Sequence, residues 1–437
     1  MPTLTQLFSV PNNEVLAAYV TEDGRYLYYN HLYGTDPNNK GRIIKRDLVT
    51  GNETIIFEKS RFAAWNSVYV AKDNKIYFFG EADDDQGVLR STVVIVDLND
   101  DSVVVVQHPN TGDCNEFIGV AYDEKNDRFI VGERKGGAVT TGSSWPNGGG
   151  LWIIPRSTIT DPSTWQRVHE FSPLGSESIN PGVTKVLIAG NNVFVMLNGA
   201  SIRAIQKASL DDLTTWTSIE QGDSFARNIL GNGDIIAYAK ESGSNTLLIR
   251  YSTDNGETWN EYDTGIDLST DKGSGILLYG KYVIVIHAKV SSHNPADVYL
   301  VDLENQTTQH VGSLTTYDML EGTARHENVF FTNRNNSTSY IYKLTFDTPR
   351  RLSLSTNKQT ANAGEVITLT ATLTDDQGNP VSGEIIEFYV VRCGLSRNAI
   401  IGEKIGTATT DENGQATINY TLPTTPGKVW FRAIYKG

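Results

Sequence analysis

One unit recurs seven times along this chain, and it constrains the fold more than any other feature. A polar turn leads into a short run of apolar and aromatic residues. The runs are "DGRYLYYN" at 23–30, "DNKIYFFG" at 73–80, "NDRFIVG" at 126–132, "GNNVFVML" at 190–197, "GDIIAYA" at 233–239, "GKYVIVIHA" at 280–288 and "ENVFFTN" at 327–333. Their starts lie roughly 40 to 65 residues apart, a period that signals a repeat architecture. Each run is bounded by Gly, Asn or Asp and is rich in β-branched and aromatic residues, which reads as strand. A second strand, a tight turn and a third strand follow. Seven units of about four strands each predict an all-β, seven-bladed β-propeller. A lone four-stranded blade leaves both faces exposed, whereas a ring stacks them face on face.

The ring must also close. The seventh unit offers "MLEGTARHE", "ENVFFTN" and "SYIYKLTF" and then runs into "DTPRR", so it lacks an outer strand. The N-terminal "TLTQLFSVP" has no inner strands of its own. Thr3 to Val10 is therefore predicted to supply the fourth strand of the last blade.

The turns before the outer strands fall into two sets. Three carry an Asp-Leu pair, "RDLVTGNET" at 46–54, "VDLNDDSV" at 96–103 and "VDLENQTT" at 301–308. Three end in Thr-Trp, "STITDPSTW" at 157–165, "SLDDLTTW" at 209–216 and "STDNGETW" at 252–259. The last resembles the Asp-box (BNR) hairpin of the sialidase superfamily at Ser252, Asp254, Gly256, Thr258 and Trp259. Asp211, Trp216 and Trp165 are the matching residues of the two partial copies. The resemblance implies structural roles: the Asp carboxylate accepts backbone N–H groups, Gly takes a positive φ and Trp packs between blades. The sialidase Arg-Ile-Pro motif is missing, and "IIPRS" at 153–157 does not replace it. No active site is carried over.

The pattern changes at Asp347-Thr348-Pro349, which predicts a propeller at 1–347 and a second domain at 348–437. The second segment alternates with period two. It resembles bacterial Ig-like domains of the invasin and intimin type, through Ala363-Gly364-Glu365, Gly378-Asn379-Pro380-Val381 and "TDENGQATINY" at 410–420. The resemblance implies an Ig-like β-sandwich acting as a stalk or spacer. "VWFRAIYKG" aligns with its next-to-last strand, so either a last strand continues the native chain beyond Gly437 or a partner chain supplies it. The open edge is then a place for a partner chain to pair.

Net charge is −14 and the pI about 5.0, which argues against nucleic acid as the main partner. No apolar run is long enough for a membrane span. The N-terminus lacks the basic and apolar regions of a signal peptide. The protein is thus expected either to have lost a leader or, as virion proteins do, to reach its site without one. Cys114 and Cys393 make no disulfide framework.

Long connections on a rigid scaffold are where function concentrates. Here they join second to third strands, at 31–41, 81–91 and 133–150. The candidate ligand-binding residues on that face are Trp145, Tyr33, Asp36, Arg134 and His293. Trp145 stands out, because an exposed indole stacks on a sugar or anchors a protein contact. No catalytic residue is assigned. Asp83, Asp84 and Asp85 are the one place for a calcium ion, but their spacing fits no EF-hand loop, so no metal or other cofactor is expected. The chain reads as a non-enzymatic extracellular recognition protein, a virion spike or cell-surface adhesin whose propeller binds a glycan or protein receptor. Two rivals remain: a polysaccharide-acting hydrolase or lyase, and an architectural capsid or surface-lattice subunit.

Overall fold

A computed structural model describes residues 3–11, 15–21, 24–32, 38–108, 114–136, 149–175, 181–199, 202–221, 227–233, 235–242, 245–269, 273–289, 294–314, 319–323, 329–334, 338–345, 350–375, 378–391, 403–425 and 429–435. They form an all-β protein with seven four-stranded sheets in succession. Blade one is Ala18–Val20, Tyr26–His31, Lys40–Asp47 and Glu53–Ser60. Blade two is Ala63–Val70, Lys75–Asp83, Leu89–Asp97 and Val103–Gln107. Blade three is Cys114–Asp123, Arg128–Gly136, Gly150–Pro155 and Gln166–Glu170. Blade four is Gly182–Ala189, Asn192–Asn198, Arg203–Ser209 and Asp212–Gln221. Blade five is Arg227–Gly231, Ile236–Glu241, Thr246–Ser252 and Asn260–Asp267. Blade six is Gly273–Tyr279, Tyr282–Lys289, Asn294–Asp302 and Thr307–Ser313. Blade seven is Met319–Thr323, Val329–Arg334, Thr338–Thr345 and, from the other end of the chain, Thr3–Pro11.

First strands of successive blades lie side by side from one to seven, so they line the inside of the wheel. The second strands of blades one to six are largely buried on both faces. In Lys75–Asp83 every residue but the first is buried. That is why the recurring runs are continuously apolar rather than alternating: a neighbouring blade covers each face. Outer strands such as Asn260–Asp267 keep a polar, exposed side.

The expected closing strand is in place. Val10, Ile341, Val15, Ala18, Val20, Leu27, Tyr29 and Ile44 form one buried cluster that joins the last blade to the first. The Val15 N–H donates to Ser339 Oγ at 2.9 Å. The Arg46 guanidinium lies 3.9 Å from the centre of the Phe8 ring, a cation–π contact across the same seam.

Leu4–Leu344 forms one compact unit and Thr345–Gly437 belongs to another. The second unit packs two three-stranded sheets. One holds Arg351–Thr356, Val366–Thr374 and Gln415–Thr421; the other holds Glu403–Thr409, Ile385–Val391 and Trp430–Tyr435. Ile367, Leu369, Ala371, Leu373, Ile386, Phe388 and Ala416 make its core, and burial alternates along Val366–Thr374 as the period-two pattern requires. Two of its quoted motifs close on carboxylates. Asp375 accepts the Asn379 N–H at 2.8 Å, and Asp411 accepts the Gln415 N–H at 2.9 Å. Trp430–Tyr435 pairs with Ile385–Val391 and, among the described residues, with no second strand.

The seam can be tested by urea unfolding. Ile341 is 1% exposed, so Ile341→Ala is expected to destabilise the propeller by about 2–5 kcal/mol. Ile55, 55% exposed on the neighbouring blade, is expected to tolerate Ala within about 0.5 kcal/mol. Equal effects would mean that the seam does not hold the ring.

Candidate functional site

One end of the wheel is occupied by contacts that hold it together. Each turn between a third and a fourth strand is closed by a carboxylate. Asp47 accepts the N–H groups of Val49 and Thr50, Asp97 that of Asn99, and Asp302 those of Glu304 and Asn305. Asp254 accepts those of Glu257 at 3.1 Å and Thr258 at 2.9 Å, and the hydroxyls of Ser252 and Thr258. Gly256 sits at φ 80° against the Phe194 ring, where a Cβ would come within 2.3 Å. Blade four differs. Its two-residue turn pairs Ser209 with Asp212, so Asp212, one position later, accepts the Thr214 N–H and hydroxyl. Asp211 instead faces Lys125 of blade three at 2.8 Å.

The three tryptophans also bridge blades. Trp259 packs on Phe194 and Tyr238 of blades four and five. Trp216 packs on His169 and Phe171, which follow from blade three. Trp165 packs on Phe117 and on His108, just beyond blade two. Side-chain bonds repeat the pattern. Asp101 of blade two accepts Tyr28 and Lys45 of blade one, each at 2.7 Å. Arg156 of blade three donates to Asp73 of blade two at 2.9 Å. Lys207 of blade four donates to Glu257 of blade five at 3.1 Å.

The opposite end carries the connections between second and third strands. There the inner strands of blades two, three and four each break register, between Ala64 and Asn66, between Phe117 and Gly119, and between Val183 and Lys185. The extra residues are Trp65, Ile118 and Thr184. Such bulges re-aim side chains and recur beside functional sites. Gly80 is required opposite the first, since a Cβ there would meet Ala63 O at 1.8 Å.

A charged cluster gathers at this end. Arg134 is paired with Glu116, its partner in strand register. Its guanidinium lies 5.4 Å from the centre of the Trp65 ring. Gly182 of blade four lies against the same side chain, where a Cβ would come within 3.1 Å of Arg134 Cγ. Burial pushes the Glu116 carboxyl up, against the pull of Arg134. Next to them Glu133, 1% exposed, accepts Trp152 Nε1 at 2.8 Å and Arg167 Nε at 3.1 Å. The Trp65 indole N–H is enclosed and has no acceptor among the described residues, which is rare for a buried donor. The arrangement offers an indole, a guanidinium and a carboxyl within one mouth. That set suits the polar groups and apolar face of a sugar or of a protein loop.

Of the ligand-binding residues expected from sequence, Arg134 stands in this cluster. Tyr33, Asp36, Trp145 and His293 lie outside the described residues. Trp65, Glu116 and Glu133 were not foreseen, because no local motif marks them; a bulge depends on strand register. The expected long connection at 81–91 is instead a hairpin whose strands run to Asp83 and from Leu89. Asp84 closes it by accepting the N–H groups of Gln86 and Val88. Asp83, Asp84 and Asp85 go to separate cations, Arg61 at 2.7 Å, Arg90 at 2.9 Å and Lys59 at 3.8 Å. Among the described residues no three His, Cys, Asp or Glu converge as metal ligands. A cavity of about 390 Å³ opens between Ser9 and Val10 of blade seven and Tyr29, His31, Arg42 and Arg46 of blade one. Its arginines are held by Glu58 and Glu53, each at 2.6 Å.

The carboxylate turns set an acid dependence. The Thr214 hydroxyl and N–H hold the Asp212 carboxyl down at about 2, and those of Thr258 hold Asp254 well below the usual carboxylate range. A folded-state value below the unfolded value of about 3.9 stabilises above that pH, and the gain is lost as pH falls through the folded value. Asp254→Asn is therefore expected to lower the urea midpoint at neutral pH and to flatten its fall between about pH 4 and pH 2. An unchanged acid slope would show that this turn carries no such linkage.

Comparisons with known proteins bear on fold and on the second unit. An oligogalacturonate lyase in complex with manganese aligns over 79% of this chain and 93% of its own, at 12% identity and a TM-score of 0.55. An oligogalacturonate lyase from Vibrio parahaemolyticus aligns over 78% and 93%, at 12% identity and 0.53. A prolyl endopeptidase structure aligns at 11% identity and a TM-score of 0.49, over 87% of this chain but 56% of its own length. At these identities the likeness concerns the fold alone. No curated protein sequence matches the chain. No helix among the described residues is long and apolar enough to cross a membrane. Residues 350–435 match the family of bacterial Ig-like domains (group 1), and the second unit is an Ig-like domain.

Proposed function

We propose that this is a non-enzymatic surface recognition protein, a virion spike or cell-surface adhesin. Its propeller head binds a glycan or protein receptor, and its Ig-like domain serves as the spacer. The carrying observation is the division between the two ends of the wheel. The carboxylate turns and their tryptophans, read here as Asp-box hairpins in blades three to five, are engaged in holding blades together. The other end presents Trp65, Arg134 and Glu116 at strand bulges. Tyr33, Asp36, Trp145 and His293, which the sequence puts between second and third strands, are proposed to extend that surface. An Ig-like domain is typical of surface proteins and supports an extracellular location. The outer side of Trp430–Tyr435 is proposed as a pairing edge for a partner chain.

A second reading has one observation in its favour. The buried Glu116 carboxyl is pushed up beside a guanidinium, a setting that suits a proton donor. The oligogalacturonate lyases share the fold. A hydrolase or lyase acting on polysaccharide is the enzymatic alternative.

One experiment separates the two. The full chain is screened on a glycan array beside Arg134→Ala, Trp145→Ala and Glu116→Gln, and each bound sugar is then analysed for cleavage. Recognition predicts binding weakened at least about tenfold in Arg134→Ala or Trp145→Ala, with the sugar intact. Cleavage that stops in Glu116→Gln would overturn the non-enzymatic reading.

A further inference from the structure

Exposed large hydrophobic residues are not spread around the wheel. Among the described residues of the propeller they are Leu7, Val49, Ile55, Val88, Val104 and Val105, all on blades seven, one and two. Two of them are adjacent on one free edge. Val103–Gln107, "VVVVQ", is the outer strand of blade two and pairs, among the described residues, only with Leu89–Asp97. Val104 is 48% and Val105 37% exposed. Successive strand residues face opposite sides, so this edge shows valine on both faces beside unpaired backbone groups.

The other outer strands are protected against pairing. Glu53–Ser60, Gln166–Glu170, Asp212–Gln221 and Asn260–Asp267 all carry charged residues, which blunt an edge by repulsion and hydration. Thr307–Ser313 is polar, and Thr3–Pro11 is interrupted by Thr5, Gln6 and Ser9 and ends in proline. Val103–Gln107 itself carries no charged residue in a chain of net charge −14, and Asp100 of the turn before it accepts the Ser102 N–H. Asp97 is held by Lys75 at 3.5 Å and Asp101 by Lys45 at 2.7 Å.

We propose that Val103–Gln107 pairs with the same strand of a second copy of this chain, antiparallel about a two-fold axis. The charge pattern selects that occupant. The run Val103 to Val106 reads the same in both directions, so an antiparallel copy sets valine against valine. A two-fold axis normal to the sheet sets residues of one face against each other, so Val104 lies opposite its own copy and Val103 opposite Val105; Asp101 then falls opposite Gln107 and Asp100 opposite His108, and no acid meets an acid. Uncharged β-branched pairs are favourable across strands, and a two-fold contact closes on itself rather than growing into a fibre. Two heads joined in this way carry two copies of any receptor site, which raises avidity without new contacts. The pairing does not depend on the recognition reading.

Sedimentation velocity on the full chain tests it. The wild type is expected to form a dimer in the micromolar range. Val104→Lys and Val105→Lys, on opposite faces of the strand, are each expected to sediment as monomers with an unchanged urea midpoint. Leu7→Lys on blade seven is expected to remain a dimer. A wild type that stays monomeric up to about 100 μM, where a micromolar contact is saturated, overturns the proposal. So does a dimer that survives both valine substitutions.

Discussion

Everything in the propeller rests on one requirement, that the last blade meets the first. Each blade covers its faces only with neighbours, so an open ring would expose two apolar surfaces to water. The chain meets the requirement by placing its first strand outside its last three. Val10 and Ile341 then join Val15, Leu27 and Tyr29 in one buried cluster. The closure has no covalent link. It stands on the backbone ladder between Thr3–Pro11 and Thr338–Thr345, on apolar burial, on the Val15 N–H bond to Ser339 Oγ and on the contacts of Phe8 with Arg46 and Tyr29. Separating strand from blade would uncover that whole cluster at once, which makes the seam cooperative.

The two ends of the wheel divide the polar chemistry. At one end Asp47, Asp97, Asp212, Asp254 and Asp302 satisfy turn N–H groups, while Asp101, Asp211 and Glu257 of the same turns accept side chains of the preceding blade. These groups are fully committed to structure. At the other end the inner strands bulge, and side chains leave the regular alternation. The Glu116–Arg134 pair is costly to bury. The Trp65 indole lies beside its guanidinium, and the backbone of Gly182 packs against the Arg134 aliphatic stem. A preorganised guanidinium loses little freedom when a ligand arrives.

The Ig-like unit uses simpler means. A period-two strand, Val366–Thr374, sends alternate side chains into a small core, and Asx turns at Asp375 and Asp411 set the direction of the chain. Its charged side chains meet in small sets, Arg350 with Glu384 and Tyr435, and Glu387 with Tyr389 and Lys404.

How much was legible in the sequence follows from the range of the forces involved. The seven runs, the carboxylate turns, the closing strand and the Ig-like segment are set by local propensity, by burial on one or both faces, and by the need to remove edges. All of these leave a periodic trace in the residue order. The shift of the clasp from Asp211 to Asp212 is not periodic, because a two-residue turn moved the register by one. The meeting of Trp65, Glu116, Arg134 and Gly182 is less visible still. These residues come from three blades, and their approach depends on bulges and on how closely neighbouring strands pack. The sequence by itself determined the wheel, its seam and its second domain, since those follow from which residues avoid water. Only the tertiary structure decided which charged groups share the mouth of the wheel, since that follows from register and packing between strands far apart in the chain.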